Sequence, residues 1–322
     1  MRLSGGTELT NQSQTSQPNS YRAWWNLVCL SWQRHARSRL LVWVALSLLA
    51  VITLVVILLT QANRWSMGNM RYPDRRGPRV QQQLDTLQAM YSLSALEPNS
   101  NTIKTAVLSS AQLTVDNSSF YVFSTWLVFR LFATFLLPMW TISFSTDALG
   151  YDREAGNLLW LLTRPLSRGS IYLAKFVAAL PWCLTLNLGG FAILCFAAGD
   201  FGRLALQLYW PAVLWGTVAY CALFHLMGAC FRRPAVLAIL YTFFLETVVG
   251  NLPDYLKRGS VSFYIRCLMY DAAQDYGIHP TNPQFFLPVS GQVAWIVLAS
   301  FTVCLLGIGV WIFSRNEYLD LS

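Results

Sequence analysis

Charged residues are scarce in this chain of 322 residues: Asp, Glu, Lys and Arg together make up 12% of it, whereas hydrophobic residues make up 55%. Soluble globular domains carry about 25% charged residues, so the composition excludes an ordinary soluble domain. The mean hydropathy of +0.41 points the same way. Acidic residues are the scarcer sign, 15 against 23 Lys and Arg. This shortage of charge predicts a protein that lies largely within a membrane.

Several motifs that carry chemistry are also missing from the sequence. It has no Gly-x-x-x-x-Gly-Lys-Ser/Thr phosphate loop, so we do not expect the chain to hydrolyse ATP by itself. It has no His-Glu-x-x-His zinc motif and no Gly-x-Ser-x-Gly elbow, which disfavours an intramembrane protease or lipase. No CxxC pair or Cys/His cluster is present, and we interpret the seven cysteines as small buried hydrophobes. They are Cys29, Cys183, Cys195, Cys221, Cys230, Cys267 and Cys304.

Four long runs contain no Asp, Glu, Lys or Arg at all: 40–63, 176–199, 204–231 and 292–314. Each is long enough to cross a hydrocarbon core of ~30 Å at ~1.5 Å per residue. Two further apolar runs carry one charge each, Arg130 and Glu246. The pattern predicts an all-α polytopic membrane protein with six transmembrane helices. We place them at 40–63, 120–147, 169–199, 204–231, 234–250 and 291–314.

The segments outside these spans differ in character. Residues 1–20 are polar and predict a disordered tail. Residues 21–39 mix Trp with Arg, which predicts an interfacial connecting helix or a basic flank of the first span. Residues 64–119 predict an extracytoplasmic helical segment. Residues 251–290, with four prolines and seven aromatic residues, predict a re-entrant segment or an ordinary external loop, and residues 315–322 form a second tail.

A polar island at 148–168 separates the second and third predicted spans. Tyr151, Ala155, Leu158, Leu159 and Leu162 fall at helical spacing on one face, and Pro165 would end the helix. The opposite face carries polar residues and glycine: Asp152, Arg153, Gly156 and Asn157. The island therefore predicts a short amphipathic helix held at a membrane surface.

The order of residues in this island resembles the coupling helix of the type-2 family of ABC exporter permeases. That family has Glu-Arg-Glu-x-Gly-Thr-Leu, then Leu-Leu, then Thr-Pro-Leu-Ser-Arg, then a Lys that opens the next span. Asp152 replaces the first Glu, Asn157 replaces Thr, and Arg164 stands where Thr is usual. The matching residues are Asp152, Arg153, Glu154, Gly156, Asn157, Leu158, Leu161, Leu162, Arg164, Pro165, Leu166, Ser167, Arg168 and Lys175.

The resemblance implies the membrane subunit of an ATP-driven exporter, with a cytosolic amphipathic coupling helix between the second and third spans. Its partners would be two cytosolic ABC ATPase subunits, which bind the ATP and Mg, and a second permease copy or paralogue. We expect contact with membrane lipid, no nucleic acid, and no cofactor or catalytic residue in this chain. The expected location is a bacterial-type cytoplasmic membrane with both termini cytosolic. The expected ATPase-coupling residues are Asp152, Arg153, Glu154, Gly156, Asn157, Leu158, Pro165 and Arg168.

Two questions stay open at this level. A non-transporting membrane scaffold or a lipid-modifying enzyme would show the same spans, and copurification of an ATPase would discriminate between these classes. Arg130, an ionisable residue inside a predicted span, is a functional candidate because such residues are costly in a membrane. It would face the translocation path between two permeases, or extend along its own stem to the headgroups. His225 is expected to be a hydrogen-bonded structural residue rather than a proton relay.

Overall fold

A computed structural model of the chain describes residues 20–37, 39–62, 65, 119–154, 166–244, 254–280 and 286–315. At 20, 34–37, 39–42, 151–154 and 254–256 the description covers the backbone alone. All regular structure in these ranges is helical, as the composition and the charge-free runs predict.

The helices have the following bounds. The first two helices are α1 (Ser20–Arg37) and α2 (Arg39–Gln61). After residue 119, a π-helical segment (Phe123–Leu136) runs into α3 (Leu137–Ser145) and α4 (Asp147–Glu154). The remaining α-helices are α5 (Arg168–Ala197), α6 (Asp200–Cys230), α7 (Pro234–Tyr241), α8 (Val261–Ala272) and α9 (Gly291–Arg315). Two short 3-10 helices, Asp254–Gly259 and Gln274–Tyr276, flank α8.

Five helices of the described residues are long and apolar enough to cross a membrane: Trp43–Gln61, Ser119–Gly150, Arg168–Ala197, Asp200–Cys230 and Gly291–Arg315. They coincide with the predicted first, second, third, fourth and sixth spans. A shorter apolar helix, Pro234–Phe244, occupies the first part of the predicted fifth span. The rest of that span, 245–250, lies outside the described residues, so a sixth crossing stays a prediction.

One end of the helix bundle is defined by a buried apolar cluster that we call the basal cluster. It joins α1, the end of the second span, the start of α5, and the ends of α6 and α9. Because α5 begins where α6 and α9 end, neighbouring spans run antiparallel. The members of the basal cluster are Leu27, Val28, Leu149, Ile171, Tyr172, Ala174, Ala178, Ala229 and Phe313.

The opposite end, which we call the distal end, is marked by the start of the second span. There the Phe120 ring lies 5.8 Å from that of Tyr276, just after α8. α9 begins beside α8, since a Cβ at Gly291 would lie 2.7 Å from Cγ of Asp271. α7 begins at the basal end, where Pro234 adjoins Gly150. α7 therefore starts at the basal end, and the end of α8 lies at the distal end.

The connection between the third and fourth spans is shorter than the sequence predicts. We expected Arg203 in a loop before a span starting at 204, but α6 begins at Asp200. Gly199 adopts φ +82°, a conformation that glycine takes without steric cost, so the chain turns within two residues. Arg203 therefore lies in the first turn of α6, where its Nη1 is 3.3 Å from a carboxylate oxygen of Asp200.

Polar contacts link the second, third and fourth spans inside the bundle. Asn187 Nδ2 donates to Thr141 Oγ1 at 3.0 Å, and Ser145 Oγ donates to Cys221 Sγ at 3.2 Å. Ser145 Oγ also lies 3.5 Å from Cys183 Sγ. Small and polar residues suit such interfaces because helices in lipid associate through close packing and hydrogen bonds. The second span is thus held to both of its neighbours.

Candidate functional site

α1 lies at the basal end, in the segment where the sequence predicts an interfacial connecting helix or a basic flank of the first span. Trp24 Nε1 on α1 donates to the carbonyl oxygen of Ser170 at 3.0 Å, and the Trp32 ring lies 5.6 Å from that of Trp182. The contacts of α1 thus extend along the first half of α5. Tyr21 and Trp25 are exposed on the remaining surface of α1, which suits a helix with one face on the protein and the other toward headgroups.

The start of α5 is fixed by its own sequence. Ser167 precedes the helix in an extended conformation, and its Oγ accepts a hydrogen bond from the backbone N–H of Ser170 at 3.3 Å, as a helix N-cap does. Arg168 is the first residue of α5. Gly169 faces α9 closely, since a Cβ there would lie 2.8 Å from Cγ1 of Val310. The beginning of α5 is therefore held against the end of α9.

Three aromatic rings pack together at the basal cluster. The Tyr172 ring is 4.5 Å from the His225 ring and 5.9 Å from the Phe313 ring. His225 is fully buried, and its Nε2 lies 3.2 Å from the carbonyl oxygen of Tyr172. His225 is thus buried and within hydrogen-bonding distance of a backbone carbonyl, and its structural role stays a prediction. These rings connect α5, α6 and α9 at one level of the bundle.

The predicted coupling residues are described only in part. α4 continues directly from the second span, and Asp152, Arg153 and Glu154 belong to its backbone, although their side chains lie outside the description. Gly156, Asn157, Leu158 and Pro165 lie outside the described residues. What the structure does describe is the base of α4: Ala148 and Leu149 are buried, and Leu149 belongs to the basal cluster. A displacement of α4 would therefore act directly on the basal cluster.

The second span exposes a single narrow stripe. Between Ser119 and Gly150, the exposed residues are Trp126, Arg130 and Phe135, and all three lie in the π-helical segment. In an α-helix of 3.6 residues per turn, residues 126 and 135 would lie on opposite faces. The wider π-helical turns bring them onto one face. π-helical stretches are frequent at functional sites.

Arg130 is therefore on the surface of the chain, and its guanidinium carbon lies 4.6 Å from the centroid of the Trp126 ring. Side chains on helices lean toward the N-terminus, and here Arg130 leans toward the distal end. Whether this stripe lines a translocation path depends on a second permease, so that assignment remains a prediction.

α8 is the element of segment 251–290 that the structure places. Its Ile265 packs into the middle of α6, where a Cβ at Gly216 would lie 2.5 Å from Ile265 Cδ1. From there α8 rises to the distal end. α8 thus packs against a spanning helix, and a re-entrant segment and an external loop both stay predictions for 251–290. Around α8, Lys257 and Arg266 are buried among aromatic rings. The sequence analysis noted the aromatic residues of this segment but did not single out these two cations.

Cysteine burial follows the sequence prediction only in part. All seven cysteines are free, and Cys183, Cys195, Cys221 and Cys267 are buried. Cys29 and Cys304 are exposed on the chain, which corrects the prediction for these two. Cys29 shares the exposed face of α1 with Tyr21 and Trp25, and Cys304 lies on a face of α9 that no described part of the chain covers.

Comparison with known proteins decides the family. Residues 25–318 match the family described as ABC-2 family transporter protein. The chain belongs to this family. Membership makes this ABC-2 protein a multi-pass membrane subunit of a transporter rather than an enzyme, and it implies association with ABC ATPase components.

Two curated relatives support the assignment. A probable ABC transporter permease protein NosY of Pseudomonas aeruginosa is 28% identical over 218 residues, covering 57% of this chain and 77% of the relative. A probable ABC transporter permease protein NosY of Stutzerimonas stutzeri is 49% identical over 45 residues, covering 14% of this chain and 16% of the relative. The second similarity thus concerns a short segment of both proteins.

Proposed function

We propose that this ABC-2 protein is the permease subunit of an ATP-driven exporter. Two cytosolic ATPase subunits act on the coupling segment 148–168, and a second permease copy or paralogue completes the translocation path. The basal end is then cytosolic and the distal end extracytoplasmic. Both termini lie on the cytosolic side of a bacterial-type cytoplasmic membrane.

The observation that carries the proposal is the basal cluster. Leu149, at the base of α4, packs in the same cluster as Ile171 and Tyr172 of α5, Ala229 of α6 and Phe313 of α9. Protein interiors are close-packed and transmit displacement rather than absorb it. A push on α4 therefore reaches three other spans at once.

The proposed mechanism is mechanical. Closure of the ATPases on ATP displaces the coupling segment, the basal ends of the spans move with it as one body, and the cavity between two permeases reopens at the distal end. The chain itself contributes no nucleotide chemistry in this scheme. Its role is to convert a displacement at the basal end into a change of access.

Charge reversal at Glu154 tests the coupling contact. We expect Glu154→Lys to weaken stimulation of the partner's ATP hydrolysis, because a helix surface that meets an ATPase groove would then carry the wrong charge. Asp200→Lys is the matched control, since Asp200 is an exposed carboxylate in the first turn of α6 at the distal end. Insertion of both variants is checked by their yield in the membrane fraction.

The proposal predicts that only Glu154→Lys reduces stimulation. Wild-type stimulation in Glu154→Lys, or equal losses in both variants, would contradict a contact at the basal end. A scaffold or lipid-modifying enzyme would show no hydrolysis that responds to either variant.

A further inference from the structure

Two thiols from neighbouring spans meet inside the bundle at a hydroxyl of the second span. Cys183 lies on α5 and Cys221 on α6, and both are fully buried. Ser145 Oγ on α3 donates to Cys221 Sγ at 3.2 Å and lies 3.5 Å from Cys183 Sγ. The two thiols are also within hydrogen-bonding distance of one another. The second, third and fourth spans thus bring two sulfur atoms together.

The fold, and not the spacing in the sequence, creates this pair. Cys183 and Cys221 are 38 residues apart, and the tight turn at Gly199 returns α6 along α5. The other two buried cysteines lie elsewhere, Cys195 toward the distal end of α5 and Cys267 on α8. Among the described residues, Cys183 and Cys221 are therefore the two cysteines that share one hydroxyl group.

Hydrogen bonding alone gives little reason for two thiols at this position. The S–H group is a weak donor and its sulfur a weak acceptor. One helical turn away, Asn187 Nδ2 and Thr141 Oγ1 join the same two helices with a stronger contact at 3.0 Å. Two adjoining thiols can do what a pair of hydroxyl groups cannot, which is to form a covalent bond on oxidation.

Burial controls when that chemistry happens. Neither side chain is exposed to solvent, and thiols buried in apolar surroundings are unreactive. Ser145 ends the helix that leads into α4, so a displacement of α4 moves the hydroxyl that contacts both sulfurs. The pair is therefore protected while the three spans are packed, and it becomes accessible when the second span moves.

We propose that Cys183 and Cys221 form a reversible redox switch that joins the third span to the fourth. Hydrogen peroxide, a small uncharged oxidant, converts one thiol to a sulfenic acid and releases water; the other sulfur then displaces a second water and forms the disulfide. Both S–H bonds and the peroxide O–O bond break, the two sulfurs together lose two electrons, and a dithiol reductant reverses the change.

The disulfide alters the contact with the second span. It removes both S–H groups, including the Cys183 donor that lies 4.0 Å from the carbonyl oxygen of Thr141. It also binds α5 to α6 at the level of Ser145, so the second span loses the packing that the two separate thiols provide. The consequence for transport, that oxidation weakens coupling through the second span, rests on the proposed function.

Peptide mapping of the purified full-length chain tests the bond directly. The chain, with Cys29→Ser and Cys304→Ser to remove the exposed thiols, is treated with hydrogen peroxide just below its Tm, where local opening exposes the pair, and is then alkylated. We expect a Cys183–Cys221 cross-link that dithiothreitol reverses. The cross-linked chain should have a Tm higher by roughly 5 °C, because the bond closes a long loop. Cys183→Ser should lose the cross-link, whereas Cys195→Ser, the matched control on the same helix, should keep it.

Two free thiols after this treatment, or sulfurs oxidised separately without a cross-link, would overturn the switch. Its regulatory part is measured as ATP hydrolysis by the copurified partner. Cross-linking should lower the stimulation of hydrolysis at least twofold, dithiothreitol should restore it, and Cys183→Ser should not respond to peroxide. Unchanged stimulation in the cross-linked chain, or an equal loss in Cys183→Ser, would contradict the regulatory role. A cross-link in a chain that has no ATPase partner would instead refute the exporter and leave the disulfide chemistry standing.

Discussion

A single methyl group should separate α9 from α5 at the basal cluster. Gly309 is buried on α9, and a Cβ placed on it would lie 2.8 Å from Cε1 of Tyr172 and nearer still to the phenol oxygen. Carbon atoms pack at about 3.5–4.0 Å, so either the ring or the helix must move. Tyr172 is fully buried and contacts the tilted rings of His225 and Phe313, which leaves its ring little room.

The size of the effect follows from two opposing contributions. Overpacking a well-filled core costs about 1–3 kcal/mol. Replacing glycine by alanine within a helix returns up to about 1 kcal/mol. Gly307, on the same helix, has nothing within 4 Å of its added Cβ, so Gly307→Ala should gain the second contribution alone. The two variants should therefore differ by about 1–3 kcal/mol in unfolding free energy, with Gly309→Ala the less stable.

Thermal unfolding of the purified full-length variants, followed by tryptophan fluorescence in one detergent, measures this difference. We expect the Tm of Gly309→Ala to fall below that of the wild type and the Tm of Gly307→Ala to equal or exceed it. Equal Tm values for the two variants would refute the close packing of α9 on Tyr172. They would also remove the rigid basal cluster on which the proposed mechanism depends.

Two further predictions concern topology and the second span. Reporters fused after Asn157 and Ser322 should lie on the cytosolic side and one fused near Gln83 on the opposite side, because six spans return both termini to one side; Gln83 and Asn157 on the same side would show the architecture to be wrong. Arg130→Cys, in a background without the native cysteines, should react with a small water-soluble thiol reagent and be protected by substrate, because a residue lining a cavity stays hydrated. A site that is inert in every nucleotide state would make Arg130 a structural or lipid-anchoring residue.

Much of the helical framework could be predicted because a bilayer tolerates few charges. The charge-free runs match α2, α6 and α9 to within four residues, since the hydrocarbon core excludes Asp, Glu, Lys and Arg over ~30 Å. α5 begins eight residues before its run and includes Arg168 and Lys175. The sequence predicts Arg203 in the loop before the fourth span, whereas it lies in the first turn of α6. A helix can extend beyond the hydrocarbon, and its end then tolerates charged residues. The fifth span stays a prediction, because its apolar run is short, carries Glu246, and lies partly outside the described residues.

The candidate sites could be predicted less well, because they depend on backbone winding and on distant contacts. Apolar periodicity assumes 3.6 residues per turn, and no residue pattern indicated that Phe123–Leu136 is π-helical. The exposed stripe through Arg130 follows from that winding. The burial of Arg266 and Lys257 among aromatic rings depends on how the segment around α8 packs in the bundle, which sequence spacing does not encode. The seven aromatic residues of segment 251–290 were the one sequence feature that indicated aromatic packing there.

The central claim is that this ABC-2 protein works as the permease of an ATP-driven exporter. Purification of the full-length chain from its native membrane in mild detergent, followed by identification of the copurifying chains and assay of Mg-dependent ATP hydrolysis, tests the claim most directly. We predict a copurifying ATPase with a Gly-x-x-x-x-Gly-Lys-Ser/Thr loop and hydrolysis that Glu154→Lys weakens. A chain that purifies intact with no ATPase, or with hydrolysis indifferent to the permease, would contradict it.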